Sequence, residues 1–215
     1  GILEVHWTTG NGNWESWMYG RCLENYDYYF TWAKWITPSR DLINDFTNEG
    51  DDIRFNETVV YYSCTWSNYY PASNYPFMYK LRSGYNNEYK LRLADIILLE
   101  AEAYAWQGDT QKAAALVNMI RKRAKLPDLT SDKTSSKEAM IDAVLHERRL
   151  ELALEGERWF DLVRNGKVEE VMNGLDSRDS GRHQQVKMFD SNSYLLPIPQ
   201  TALDENSNLE QNPGY

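Results

Sequence analysis
The chain has 215 residues, a net charge of −9 and a pI near 4.9. That length is enough for a domain with a real core. The acidic balance excludes the basic stripe a nucleic-acid partner would need and opposes adsorption to an anionic membrane. No apolar run approaches the ~18 residues of a spanning helix. Two cysteines, Cys22 and Cys64, are too few for a metal site or a disulfide framework, and they are read either as a pair or as buried thiols.

Taken in order, the chain changes character near residue 90. Of its 29 Phe, Trp and Tyr residues, 22 lie in residues 1–89. Residues 1–35 carry Trp7, Trp14, Trp17 and Trp32 among Gly and Asn with no clean period, which predicts irregular loops. A helix is expected from Thr37 as N-cap with Pro38 at its first position, an apolar face of Leu42, Ile43 and Phe46, and a stop at Gly50. Residues 58–63 have strand composition, and Thr65 to Asn87 reads as loop.

From Lys90 the period becomes helical. Leu91, Ala94, Leu98, Ala101 and Ala105 share one face up to Gly108. Asp109 or Thr110 caps a second helix in which Ala113, Leu116, Val117 and Ile120 recur at three and four. Ala101, Tyr104, Gly108, Ala113 and Ile120 fall where a tetratricopeptide-like pair wants small, aromatic, turn, small and apolar residues. A third helix is expected from Ser136 to Glu155, a bend at Gly156, and a short helix around Trp159, Phe160, Leu162 and Val163 closed by Gly166. Residues 174–193 read as loop and the tail from Tyr194 as extended. The fold class is therefore mainly α: repeat-like helical pairs over 90–215 with an extended C-terminal tail, and an irregular, aromatic-rich, ligand-facing region over 1–89, together one structural domain.

The chemistry-bearing motifs are mostly absent. There is no G-x-S-x-G elbow, P-loop, G-x-G-x-x-G or C-x-x-C. His146-Glu147 lacks the second histidine of a zinc helix, and the three histidines stand far apart. No catalytic residue and no metal ligand set is assigned. A glycosidase carboxylate pair is the enzymatic alternative, since composition alone does not exclude one. Calcium at Glu49, Asp51 and Asp52 is weighed against a solvated helix end. Between Glu147 and Arg164 charges of both signs alternate at helical spacing among leucines and aromatics. Structural ion pairs are expected for Glu147, Arg148, Glu151, Glu155, Arg158 and Asp161, with Trp106 and Trp159 in the core.

Sugars offer C–H faces that stack on aromatic rings and hydroxyls that need short polar partners. Two segments have that mixture, and they give Asn13, Trp14, Trp17, Trp66, Asn68, Tyr69 and Tyr70 as ligand candidates.

The string Glu147-Arg148-Arg149-x-Glu151-Leu152-x-x-Glu155-Gly156-x-Arg158-Trp159-Phe160-Asp161-Leu162-x-Arg164 resembles the C-terminal signature of the SusD/RagB family of outer-membrane nutrient-binding lipoproteins. So do Arg92 to Ala103, Leu195-Leu196-Pro197-Ile198-Pro199-Gln200, and the ending Asn206 to Tyr215. Members are commonly about twice this length, so the resemblance implies a C-terminal half, with the lipid anchor in an N-terminal part. One helical repeat does not bury its face alone, so the aromatic region or that absent half is expected to cover it. The resemblance further implies non-enzymatic glycan binding at the outer cell surface and delivery to a TonB-dependent, SusC-like outer-membrane transporter, with no cofactor. An oligopeptide-binding member of the same family and a helical-repeat scaffold for another protein are the alternatives.

Overall fold
Ser39, not Thr37, opens the first helix. Its hydroxyl accepts the Leu42 N–H at 3.1 Å, which satisfies an otherwise orphaned donor and shifts the start two residues on. The computed structural model describes residues 1–6, 37–64, 67, 69–80, 87–179 and 188–215. These fall into two compact units, Gly1–Arg158 and Trp159–Tyr215.

In the first unit, β1 (Leu3–Val5) is followed by α1 (Arg40–Glu49) and α2 (Asp52–Thr58). Gly50 links the two helices in the left-handed region at φ +67°, and Asp51 N–H returns to the Phe46 carbonyl. β2 (Val59–Tyr62) pairs antiparallel with β3 (Tyr75–Met78), Val59 facing Met78 and Tyr62 facing Tyr75. The second of these strands lies in the stretch expected to be loop. Pro76 argues against a central strand, but a two-stranded sheet has only edges and tolerates it. β4 (Glu88–Leu91) pairs antiparallel with β1.

Three helices then form the scaffold: α3 (Leu93–Gln107), α4 (Thr110–Arg123) and α5 (Lys137–Glu151). The α3–α4 turn has the expected form. Gly108 is left-handed at φ +81°, Asp109 N–H bonds the Tyr104 carbonyl, and Asp109 then caps α4 through the Lys112 N–H. Ala94, Leu98, Ala101 and Ala105 bring α3 close to Ala113, Val117 and Ile120 of α4 and to Met140, Val144 and Leu145 of α5. Alanines on the shared face let the backbones approach, and each buried Leu, Ile, Val or Met contributes about 1.5–3 kcal/mol. Trp106 does not join this core. It is 47 % exposed, one position past the buried face, with Lys137 Nζ 4.7 Å from its ring centroid.

The third scaffold helix also ends earlier than its sequence suggests, at Glu151 instead of Glu155. Leu154 is left-handed at φ +66° and Gly156 at φ +91°.

The second unit contains short elements. α6 (Arg158–Arg164) starts at the junction and closes at Gly166, φ +63°. α7 (Val168–Asn173) and α8 (Leu175–Arg178) follow, so the stretch from 174 is not wholly loop. Asn173 clamps Phe189 through both side-chain amide atoms, at 2.7 and 2.9 Å. The tail is broken by α9 (Gln200–Glu205), and Gln211 reads the Ile198 backbone in the same two-handed way, at 2.8 and 3.0 Å. Trp159 is half-buried, its ring 6.2 Å from that of Phe189.

Candidate functional site
Of the ligand candidates, Asn13, Trp14, Trp17, Trp66 and Asn68 lie outside the described residues. Tyr69 and Tyr70 are described, and both are half-buried. They form a small aromatic cluster at the start of α1. The Arg40 guanidinium carbon lies 4.2 Å from the Tyr69 ring centroid and 4.3 Å from that of Tyr70. Its Nη2 also donates to the Tyr69 carbonyl. The two rings meet edge-on at 4.7 Å, and Tyr70 meets Tyr75 edge-on at 5.7 Å.

Ser67 shapes the turn that carries these rings. Its hydroxyl donates to the Tyr70 carbonyl at 2.7 Å and accepts the Tyr70 N–H at 3.1 Å. The Tyr70 hydroxyl donates to the Pro38 carbonyl at 2.8 Å, which ties the turn to the residue before the Ser39 cap. Tyr75 shares a hydroxyl hydrogen bond with Thr37, and burial pushes its hydroxyl above the usual tyrosine range. Tyr70 is thus an anchor with its polar end occupied. Tyr69 and Arg40 form the polar–aromatic surface beside it, of the kind that can stack on a sugar face and donate to its hydroxyls.

A glutamate ladder runs along α5 and just past its end. Glu147 and Glu151 stand four apart on one face of α5, and Glu155 follows in the turn after the helix ends. Like charges at that spacing repel, and cations from other elements offset the repulsion. Fully buried Glu147 accepts from Arg54 at 2.7 Å and Arg121 at 3.0 Å. Glu151 takes Arg92 at 2.7 Å, Arg123 on the same oxygen and Arg54 at 3.3 Å on the other. Glu155 takes Arg92 through two nitrogens, at 2.5 and 2.9 Å, and Lys80 at 2.7 Å.

The Glu151 carbonyl, in the last turn of α5, also accepts from Lys80 at 2.8 Å and Arg92 at 2.7 Å. Two cations therefore occupy the negative end of the helix, which favours stopping it there. Burial alone would raise Glu151, but Arg92 and Arg123 overcome it and hold the carboxyl below its ordinary value. Burial drives Lys80 the other way, below the usual lysine range, and the attraction of Glu155 only partly offsets this.

A second acid ladder lies on α1, also at spacings of four. Asp41 meets Arg149 at 2.7 Å and Asp45 meets the same guanidinium. Glu49 meets Arg121 at 3.0 Å and His146 at 3.1 Å. Burial opposes the Glu49 charge, yet Arg121 and His146 bring the carboxyl below its usual range. Asp51 is no solvated helix end. It is fully buried, caps α2 through the Arg54 N–H at 3.2 Å, and pairs with the Arg54 side chain.

On the far side of α5, Arg148 is 1 % exposed and reaches Asp95 at 2.8 Å. Arg158 donates to the Leu145 carbonyl at 3.1 Å, and buried Asp161 pairs with Arg164 at 2.8 Å. Among the described residues no group of three or more His, Cys, Asp or Glu side chains is placed to hold a metal. Cys64 is a buried free thiol.

The SusD family model matches residues 78–215, well over half the chain, and that span contains the whole glutamate ladder. The chain belongs to the SusD family. Proteins of this family are in general non-catalytic glycan binders of the cell surface. SusD-like protein P38 of Formosa agariphila is 37% identical over 130 residues, which are 58% of this chain and 24% of that protein. SusD-like protein P2 of the same organism is 33% identical over 144 residues, 62% and 27% respectively. The chain thus spans about a quarter of the length of these curated relatives. Among solved structures, a Bacteroides vulgatus protein with a provisional sugar-binding assignment superposes with TM-score 0.70 and 27% identity, covering all of this chain and 46% of that one. A SusD superfamily protein of Bacteroides fragilis gives TM-score 0.70 at 21% identity, over all of this chain and 51% of the other, a likeness of fold.

Proposed function
We propose that the protein binds oligosaccharide at the outer cell surface without catalysis, and that it delivers the ligand to a TonB-dependent outer-membrane transporter. The observation that carries this reading is the concentration of 22 of 29 aromatic residues in residues 1–89, interleaved with Asn, Ser and Gly. Its described part presents Tyr69 beside a guanidinium. SusD-family membership and the provisional sugar-binding assignment of the Bacteroides vulgatus relative support it. In this reading the carboxylates of the glutamate ladder are structural, since each is committed to arginine or lysine.

Titration calorimetry of the chain against a panel of soluble glycans and peptides tests the proposal. Saturable binding to an oligosaccharide is expected. An aromatic anchor typically carries about 2 kcal/mol or more, so Tyr69→Ala, Trp14→Ala and Trp17→Ala should each weaken binding roughly thirty-fold where the ring touches ligand. Binding confined to peptides would replace the reading with an oligopeptide-binding one. Release of reducing sugar from a bound glycan would overturn the non-enzymatic part.

A further inference from the structure
What holds residues 37–80 against α3–α5 is unevenly divided between apolar contact and charge. Among the described residues the apolar share is one small cluster, Leu42 and Phe46 with Leu150 and Ala153, flanked by Phe55 and Leu154. By comparison, α3–α5 share a core of 12 buried residues. The charged share is large. From the 37–80 side come Asp41, Asp45 and Glu49 on α1, Asp51 and Arg54 on α2, and Lys80 just beyond β3. Across from them stand Arg121 on α4, His146 and Arg149 on α5, and the glutamate ladder. Arg92 and Arg123 reach the shared Glu151 from within the scaffold, and Arg148 with Asp95 is a pair inside it.

Acid acts on this interface in one direction. Carboxylates lose their charge on protonation, whereas arginine and lysine keep theirs and His146 gains one. Neutralising both ladders leaves Arg54 and Lys80 on one side, opposite Arg92, Arg121, Arg123, Arg149 and protonated His146 on the other. Attraction becomes like-charge repulsion. Among the described residues, the small apolar cluster and the Lys80 bond to the Glu151 carbonyl then oppose separation, while the scaffold retains its larger core.

We propose that residues 37–80, with the Arg40–Tyr69–Tyr70 surface they carry, form an acid-releasable module that undocks from α3–α5 before those helices unfold. The module would be held by charge and the scaffold by apolar packing.

Hydrogen exchange of the full chain, expressed as protection factors corrected for intrinsic pH dependence, tests this. On acidification from pH 7 to 3.5, amides of residues 53–62 and 75–79 should lose at least tenfold in protection. Those of Leu98, Val117 and Val144 should fall at least tenfold less than the module's, since the scaffold loses only the pairs that Glu147 and Glu151 make within it. Asp41→Asn/Asp45→Asn/Glu49→Gln should give the same selective loss at pH 7, and Glu49→Gln alone a smaller one. Parallel loss in both sets, in acid or in the variants, would overturn the proposal by making module and scaffold one cooperative unit. Retained protection of the module until the scaffold melts would overturn it as well.

Discussion
Thr58 shows how a single buried residue can work against the fold. It is fully buried at the end of α2, and its carbonyl accepts the Tyr79 N–H at 2.8 Å, but its hydroxyl has no hydrogen-bond partner among the described residues. An unpaired buried hydroxyl costs free energy, and valine has the same shape without it. Thr58→Val should therefore raise the melting temperature by ~2–4 °C, equivalent to ~1 kcal/mol, in differential scanning calorimetry. Glu147 is the opposite case. Glu147→Gln leaves Arg54 and Arg121 buried against a neutral amide, and breaking such a pair costs about 3–5 kcal/mol. Urea unfolding of that variant should show a lower midpoint with an unchanged slope. At this scale the sequence was half legible. Ion pairing around Glu147 and Glu151 follows from the alternating charges, but partners such as Arg54, 93 and 97 residues away, do not. Helical spacing names neighbours on one helix only. The α1 ladder was within reach of the same spacing rule, because Asp41, Asp45 and Glu49 repeat at four.

At the scale of elements, local rules worked where local chemistry decides. Gly108 between two apolar-periodic runs gives the α3–α4 turn, and Ser136 gives the start of α5 through the Ala139 N–H at 3.1 Å. Gly108→Ala should cost about 1 kcal/mol or somewhat more. The left-handed φ of +81° strains any L side chain, although nothing lies within 4 Å of the added carbon. Gly108→Asn should cost less, and the ordering Gly, Asn, Ala in thermal midpoint checks the account. Local rules failed where distant groups decide. Leu152 to Glu155 have good helix propensity, yet Lys80 and Arg92 take the Glu151 carbonyl and the chain turns. A tryptophan set in a helix is expected in the core, whereas the position of Trp106 beyond the buried face of α3 leaves it exposed. Of the aromatic candidates for ligand binding, Tyr70 illustrates why composition alone does not define a site: its hydroxyl is bound to the Pro38 carbonyl, so its ring anchors the turn that presents Tyr69.

For the whole molecule, the charge pairs make stability depend on acid far more than on salt. Glu49 and Glu151 have folded-state carboxyls below their ordinary value. A group lowered on folding contributes stability that is complete above the unfolded value, about 4.3 for glutamate, and lost as pH falls through the folded value. The melting temperature should accordingly be nearly flat from pH 7 to 5 and fall steeply below about pH 4.3. Salt acts on a different set of charges. Screening at 1 M reaches about 3 Å in water and weakens exposed pairs, but it penetrates poorly to buried ones such as Glu147 with Arg54 and Arg121. The net charge of −9 adds a general repulsion that salt relieves, opposing the small loss from exposed pairs. Adding 1 M sodium chloride at pH 7 should therefore move the melting temperature by no more than about 2 °C, which corresponds to about 0.5–1 kcal/mol. A fall of 10 °C with salt would mean that the ladders are solvated in solution, and the acid transition would then need another origin.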